Sequence, residues 1–430
     1  MSKINRSERK ERIGWYLYDW ANSAFSTTVV TVFMGPYLSS LAAKAADASG
    51  FVYPLGIQVF SESVYPYAIS ISVLFQLLFL PFIGAMADLH GMKRQLLVFF
   101  AYFGSAATVS MLGLTGDMYL LGAFLFILAN LCFGASMVVY NSFLSDIAER
   151  EHRDQVSSIG WGIGYLGGGL LLLINLLIFS NAKNLFAENP ESTAVRVCLA
   201  SAGIWWALFS FFPAFLLKNR KVIEIKFTSP AASSWSKLKN TIKELKHEKN
   251  ALLFLLAFIF YNDGVQAVIT LSAQFAQREL GLSSSLLVQA ILMVQFVAFG
   301  GAFLFKYIAK PLGAKSTIIA LIVVWSLVTY YAYSYLNNAQ EFFILAAVIG
   351  AGMGGIQALS RSMYSRIIPE GKEAEYFSIY ELSEKGSSLL GPLAFALAMQ
   401  FTKSYRVGIL SLIIFFVLGF FLLIKVKDKE

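Results

Sequence analysis

A chain of 430 residues that is 57% hydrophobic and only 14% charged, with a mean hydropathy of +0.63, is not built for water. Soluble domains run at about 45–50% apolar and about 25% charged. The apolar set, about 245 residues, meets the demand of twelve spans of ~20 residues each. The remainder suffices for loops and tails. A sizeable extramembrane domain, a soluble multidomain enzyme and an outer-membrane barrel, whose strands alternate over ~10 residues, are excluded. The predicted fold class is an all-α, polytopic membrane protein.

In chain order, the first fourteen residues are basic and polar with no signal-peptide pattern, so the first apolar segment is read as a span. Apolar runs follow at 15–41, 64–87, 95–115, 118–144, 157–179 and 196–217. A hydrophilic stretch rich in Lys and Ser, 218–250, separates them from a second set at 251–276, 285–307, 315–336, 341–364, 376–400 and 404–424. The predicted organisation is an N-terminal six-helix bundle (1–217), a cytoplasmic basic linker (218–250) and a C-terminal six-helix bundle (251–430).

A net charge of +8 would suggest nucleic acid in a soluble chain. Here topology accounts for it. With the N-terminus inside, about 27 of the 34 Lys and Arg residues fall on the cytoplasmic side. The positive-inside rule then places both termini in the cytoplasm, and no nucleic-acid partner is expected. Cys132 and Cys198 lie inside apolar runs and imply no disulfide. His90, His152 and His247 fall in three separate polar segments, so no metal or other cofactor is predicted.

The halves show weak internal similarity. A shift of about 220 aligns Ser142, Ser145, Ile147, Ser158 and Ile159 with Ser362, Ser365, Ile367, Ser378 and Ile379, and a shift of about 222 lays Gly91 and Lys93 on Gly313 and Lys315. Both matches sit at equivalent loops, which favours a duplicated six-span unit with a site near the midplane between repeats.

A charge at the bilayer centre costs about 2.5–3.5 kcal/mol even on the lenient insertion scale, so each must face protein or water. Span 1 carries Asp19, Asn22, Ser23 and Ser26 at helical spacing. Span 7 repeats the pattern with Asn262, Asp263 and Gln266. Asp19 also suits a helix end near the interface, whereas Asp263 lies about twelve residues into its run and is the stronger candidate. Span 11 holds Glu381 and Lys385 in the favourable order for an intrahelical ion pair, either a structural bridge or a breakable gate, with Glu384 beside them and Arg361 of span 10 as its candidate partner. Span 5 reads GWGIGYLGGG, placing Gly160, Gly164 and Gly168 at four-residue spacing for close helix packing. The loop after span 2 contains Gly84, Asp88, Gly91, Lys93 and Arg94, and its aspartate suits a helix N-terminus or an arginine.

That loop resembles the Gly-x-x-x-Asp-basic-x-Gly-basic-basic-basic motif of the major facilitator superfamily, with Leu89 and Met92 at positions that are usually basic. A narrower resemblance, to the vacuole-effluxer-like (autophagy-related amino-acid effluxer) family in its compact prokaryotic form, rests on four motifs. They are YDWANSAF (Tyr18 to Phe25), YLGGG (Tyr165 to Gly169), YNDGVQ (Tyr261 to Gln266) and the run from Ser360 to Pro392. The resemblance implies twelve helices in two pseudo-symmetric bundles, alternating access, a monomer, and fungal relatives that export amino acids such as leucine and tyrosine from the vacuole. Span 4 lacks the arginine of drug–proton antiporters, so proton coupling would have to run through the acids on spans 1, 7 and 11.

The expected function is a secondary transporter for a small polar or zwitterionic solute, amino acids included, working as an exporter in a bacterial-type inner membrane. Protons are the candidate coupling ion. Asp19, Asn22, Asn262, Asp263, Gln266, Glu381, Glu384 and Lys385 are the candidate binding residues. Gly84, Asp88, Gly91, Lys93, Arg94 and Arg361 are the candidate gating residues. A drug or lipid exporter with an apolar cavity is the alternative, and a non-transporting receptor or scaffold a remote one. HExxH, GxSxG and cysteine–histidine patterns are missing from the sequence, so enzymatic chemistry is not predicted.

Overall fold

The computed structural model describes residues 6–220, 248–282, 284–386, 390–402 and 404–427. These form two compact units, Met1–Tyr140 with Ile163–Ile223, and Asn141–Gly162 with Glu224–Glu430. Among the described residues, eleven helices are long and apolar enough to cross a membrane. They coincide with all the predicted runs except 376–400. In that run the described residues are helical over Glu373–Gly386 and Leu390–Thr402, and residues 387–389 lie outside the described residues. Most of the predicted linker at 218–250 also lies outside them.

In the first unit, α1 (Arg6–Ala24) leads through a π-helical segment, Phe25–Phe33, into α2 (Met34–Ala45). The sequence explains the wide turns. Thr27 to Val32 is a β-branched run with restricted side-chain rotamers. The Ser26 and Thr27 hydroxyls also compete for the carbonyl of Ser23, at 3.1 and 2.8 Å. The Met34 N–H consequently reaches back to the carbonyl of Val29. A hairpin of β1 (Phe51–Val52) and β2 (Val59–Phe60) follows, then α3 (Val64–His90) and α4 (Lys93–Ser110). Next come α5 (Tyr119–Ile147) and α6 (Arg153–Ser180), each with residues assigned to both units, and α7 (Pro190–Leu216).

Small residues set how closely the first unit packs. A methyl group at Gly164, Gly167 or Gly168 of α6 would come within 2.7 Å of the Ser23 hydroxyl, the Trp20 carbonyl or the Thr27 hydroxyl of the first span. The four-residue glycine spacing is therefore accounted for by close approach of helices. Gly203 of α7 abuts the Ser105 carbonyl of α4 in the same way, at 2.8 Å.

The second unit contains α8 (Lys249–Glu279), α9 (Ser284–Leu312), α10 (Ala314–Ser334) and α11 (Ala339–Ile367). After these come α12 (Glu373–Gly386), α13 (Leu390–Thr402), α14 (Tyr405–Ser411) and α15 (Ile413–Lys425). Asn338 caps α11 by accepting the Glu341 N–H at 2.9 Å, and Ser404 caps α14 through the Val407 N–H at 3.3 Å. Gly91 and Gly313, the glycines that the 222-residue shift superimposes, both take positive φ, +58° and +78°. The shared loop glycine thus has a backbone cause.

Helices α9 and α11 pack backbone to backbone. A methyl group on Gly301 would collide with the carbonyl of Ala351, and one on Gly354 with the carbonyl of Ala298. Backbone cannot rotate aside as a side chain can. Gly301→Leu is therefore expected to destabilise the second unit by about 3 kcal/mol or more, at the upper end of overpacking costs. A drop in the thermal-unfolding midpoint of detergent-solubilised protein would register it, and an unchanged midpoint would contradict this packing.

Candidate functional site

In the first unit, Asp19 is buried in α1 and its Oδ2 accepts the Tyr140 hydroxyl at 2.6 Å. Tyr140 stacks on Trp15 with ring centroids 4.5 Å apart, and its carbonyl accepts the Trp15 indole N–H. This places Asp19 within the helix bundle rather than at an exposed helix end. Asn22, one turn further on, is also buried and donates to the Met137 sulfur at 3.2 Å. The Trp20 carbonyl accepts the Trp205 indole at 3.1 Å. Much of the Tyr18–Phe25 motif is thus held by packing and hydrogen bonds.

Gly84 is buried, Gly91 terminates α3 in the left-handed region, and Lys93 lies 3.8 Å from Asp88. The Arg94 backbone N–H donates to Asn219 at 2.8 Å, which ties the start of α4 to the segment after α7.

In the second unit, Asp263 is fully buried on α8, and its Oδ2 accepts the backbone N–H of Gly391 at 2.9 Å. Its other oxygen, Oδ1, is buried with no hydrogen-bond partner among the described residues. Asn262 is buried beside it and Gln266 is half-buried one turn on. Gly391 permits the contact, because a methyl group there would lie 2.6 Å from the Cβ of Ala267 and 3.0 Å from Asp263.

Arg361, 1% exposed on α11, is the centre of a larger network. Its Nε and Nη2 donate to the Ser157 hydroxyl and carbonyl, both at 2.9 Å, and its Nη1 to the Asn141 side-chain oxygen at 3.3 Å. The guanidinium also lies 5.2 Å from the Trp161 ring centroid, within cation–π range. Asn141 in turn donates to Glu381 at 2.6 Å, so one neutral amide joins a buried cation to a buried acid. Glu384 is half-buried on the same helix as Glu381. The side chain of Lys385 lies outside the described residues, and with it the predicted Glu381–Lys385 pair. Nearer the helix ends, Asp154 accepts from Arg366 at 2.6 Å and from the Ser362 hydroxyl, and Arg153 donates to the Ser365 carbonyl.

The pairing follows the internal repeat. Asn141–Arg361 and the exposed pair Arg150–Glu370, at 3.3 Å, each join residues 220 apart. Asn141–Glu381 and Trp161–Arg361 are images of one another under the same shift. Asn141, Asp154, Ser157, Trp161 and Tyr140 were not among the residues singled out from the sequence. The 220-residue shift was the available signal for two of them, since it lays Asn141 on Arg361 and Trp161 on Glu381.

Two open apolar grooves border the units elsewhere. One of about 590 Å³ lies beside Tyr102, Ile204, Leu208 and Phe211 in the first, and one of about 570 Å³ beside Ala394, Leu397, Leu410 and Ile414 in the second. None of the candidate polar residues lines either groove.

Eleven long apolar helices among the described residues define an integral membrane protein, and the fold is that of the major facilitator superfamily. The fucose transporter FucP, crystallised in the outward conformation, superposes with a TM-score of 0.70 at 12% identity, covering 99% of this chain and 100% of that one. A bacterial homologue of the iron transporter ferroportin superposes with a TM-score of 0.69 at 16% identity, covering 98% and 99%. Residues 7–430 match the family described as Vacuole effluxer Atg22 like, and the chain belongs to that family. An uncharacterized MFS-type transporter, YxiO of Bacillus subtilis (strain 168), is 30% identical over 421 residues, 98% of this chain and 95% of the relative. Autophagy-related protein 22-1 of Aspergillus fumigatus is 26% identical over 562 residues, 99% and 91%. The protein is a multi-pass secondary transporter and not an enzyme.

Proposed function

We propose that the chain exports a small polar or zwitterionic solute, amino acids included, by alternating access. In this reading twelve spans form two six-helix bundles (1–217 and 251–430) joined by the linker 218–250. The protein works as a monomer in a bacterial-type inner membrane with both termini in the cytoplasm. The observation that carries the solute class is Asp263. A fully buried carboxylate with one oxygen lacking a partner among the described residues is costly unless a cation or proton meets it, and a substrate ammonium is a fitting visitor. Asn262, Gln266, Asp19 and Asn22 add polar groups on spans 7 and 1, and Lys385 of span 11 is the assigned partner of a substrate carboxylate. Protons, taken up by Asp19, Asp263 or the span 11 acids, are the proposed coupling ion.

Arg361 is assigned to a latch. Its bonds join the ends of α5 and α6 to α11, with Asn141 extending them to α12. Hydrogen bonds of this kind can exchange without disrupting a helix. Gly84, Asp88, Gly91, Lys93 and Arg94 are assigned to a second conformational element at the α3–α4 loop.

Purified protein in proteoliposomes, screened for counterflow of amino acids, sugars and nucleosides at two pH values, tests the reading. Amino-acid exchange is expected, with Lys385→Met weakening affinity for carboxylate-bearing solutes at least ~10-fold, the equivalent of ~1.4 kcal/mol. Exchange confined to uncharged sugars, or wild-type affinity in the Met variant, would remove the zwitterion assignment.

A further inference from the structure

The hairpin between α2 and α3 is hydrogen-bonded at its base and apolar at its tip. Asp47 holds the base. Its Oδ1 accepts the N–H groups of Ser49 and Phe51 at 2.9 and 3.0 Å, and its Oδ2 accepts the Tyr53 hydroxyl at 2.6 Å. The Tyr53 bond and those backbone bonds hold the Asp47 carboxyl below its usual range, so it stays ionised and keeps accepting. Phe51 pairs with Phe60 and Val52 with Val59, and the Ser61 N–H closes onto the Gly50 carbonyl at 3.0 Å.

What this scaffold presents is unusual for a loop in water. Leu55 sits in the left-handed region at φ +52° and is 99% exposed, with Ile57 64%, Tyr53 52% and Phe60 44% exposed around it. A branched residue in that conformation is uncommon outside constrained or functional turns. Residues 46–63 contain no Lys or Arg. Electrostatic attraction to acidic lipid is therefore not what the surface offers.

The apolar tip leads into α3, a helix long and apolar enough to cross a membrane. Tyr67, Ile71, Leu74, Phe75 and Leu78 of α3 are all exposed in the isolated chain. With 27 residues, α3 is about 40 Å long against a hydrocarbon core of ~30 Å. About 5 Å of helix therefore projects beyond each boundary, which puts the start of α3 at headgroup level. A tip rich in Leu, Ile, Tyr and Phe at that depth matches the composition of membrane interfaces. Lys93 and Arg94, which mark the surface at the other end, follow the opposite terminus of α3.

We propose that the 51–60 hairpin is an interfacial anchor. Its tip, Leu55 with Ile57, enters the boundary between headgroups and acyl chains of the leaflet at the N-terminal end of α3, and its ligand is the zwitterionic phospholipid surface itself. The anchor fixes the depth at which the first spans sit, whatever the transported solute.

Site-directed spin labelling tests the proposal. Cys132 and Cys198 are buried, so cysteines introduced by Leu55→Cys, Ile57→Cys and, as the polar-base control, Ala48→Cys can be labelled selectively. In phosphatidylcholine nanodiscs, labels at 55 and 57 are expected to collide with oxygen several-fold more, relative to a water-soluble nickel chelate, than the label at 48. Equal nickel access at 55, 57 and 48 would overturn the anchor. So would burial of 55 and 57 from both reagents, which would mean that protein covers the tip. Neither outcome touches the transport reading, because no solute enters the measurement.

Discussion

Arg361→Met is expected to lower the thermal-unfolding midpoint and to cut solute exchange by at least ~10-fold, where ~1.4 kcal/mol corresponds to a factor of ten. The substitution removes three hydrogen bonds at once and leaves the Ser157 carbonyl and the Asn141 oxygen without the donor they face. Hydrogen bonds to charged groups contribute about 1.5–3 kcal/mol each, and a buried acceptor stripped of its partner costs about 1–3 kcal/mol. Water can relieve some of this, so a net loss of about 2–4 kcal/mol is expected. Arg361→Lys keeps the charge but not the planar fork that serves Ser157 and Asn141 together, and is expected to fall between the two. Thermal scans and counterflow rates, measured on the same preparations, separate fold from cycle. A Met variant with the wild-type midpoint and rate would sink the network as described.

Changes at Asp263 are expected to split its two tasks. Asp263→Asn keeps a side-chain oxygen for the Gly391 N–H and removes the charge. It should unfold close to wild type while losing amino-acid exchange and its pH dependence. Asp263→Ala leaves that N–H unsatisfied as well, which costs a further 1–3 kcal/mol, about what a lost buried hydrogen bond is worth. Gly391→Val keeps the acid but forces a Cβ into the 2.6 Å gap beside Ala267. Overpacking of about 1–3 kcal/mol would displace α13 from α8 with the charge intact. Transport unchanged in Asp263→Asn, together with instability in Asp263→Ala, would make Asp263 the acceptor of the Gly391 N–H and nothing more.

The span positions were legible because twenty-residue apolar runs have few other uses, and eleven of them reappear as membrane-length helices. The acids within spans were legible for the converse reason. An ionised group in hydrocarbon is too costly to be incidental, and Asp19, Asp263 and Glu381 are indeed all buried inside protein. Their partners were not legible. Asn, Ser and Trp are ordinary residues in membrane helices, and nothing local marks Asn141, Ser157 or Trp161. The π-helical stretch at Phe25–Phe33 was likewise absent from a reading based on apolar periodicity, although its β-branched run and serine-threonine competition are written in the chain.

By itself, then, the sequence determined the medium, the spans and the few charges that had to be hidden, because hydrophobicity and the cost of burying charge act residue by residue. Only the tertiary structure decided what each charge meets. It joined Arg361 to Ser157 across 204 residues and Glu381 to Asn141 across 240, and gave one oxygen of Asp263 to a backbone N–H. Hydrogen bonds act over about 3 Å and in fixed directions, so their pairing exists only once the helices have packed.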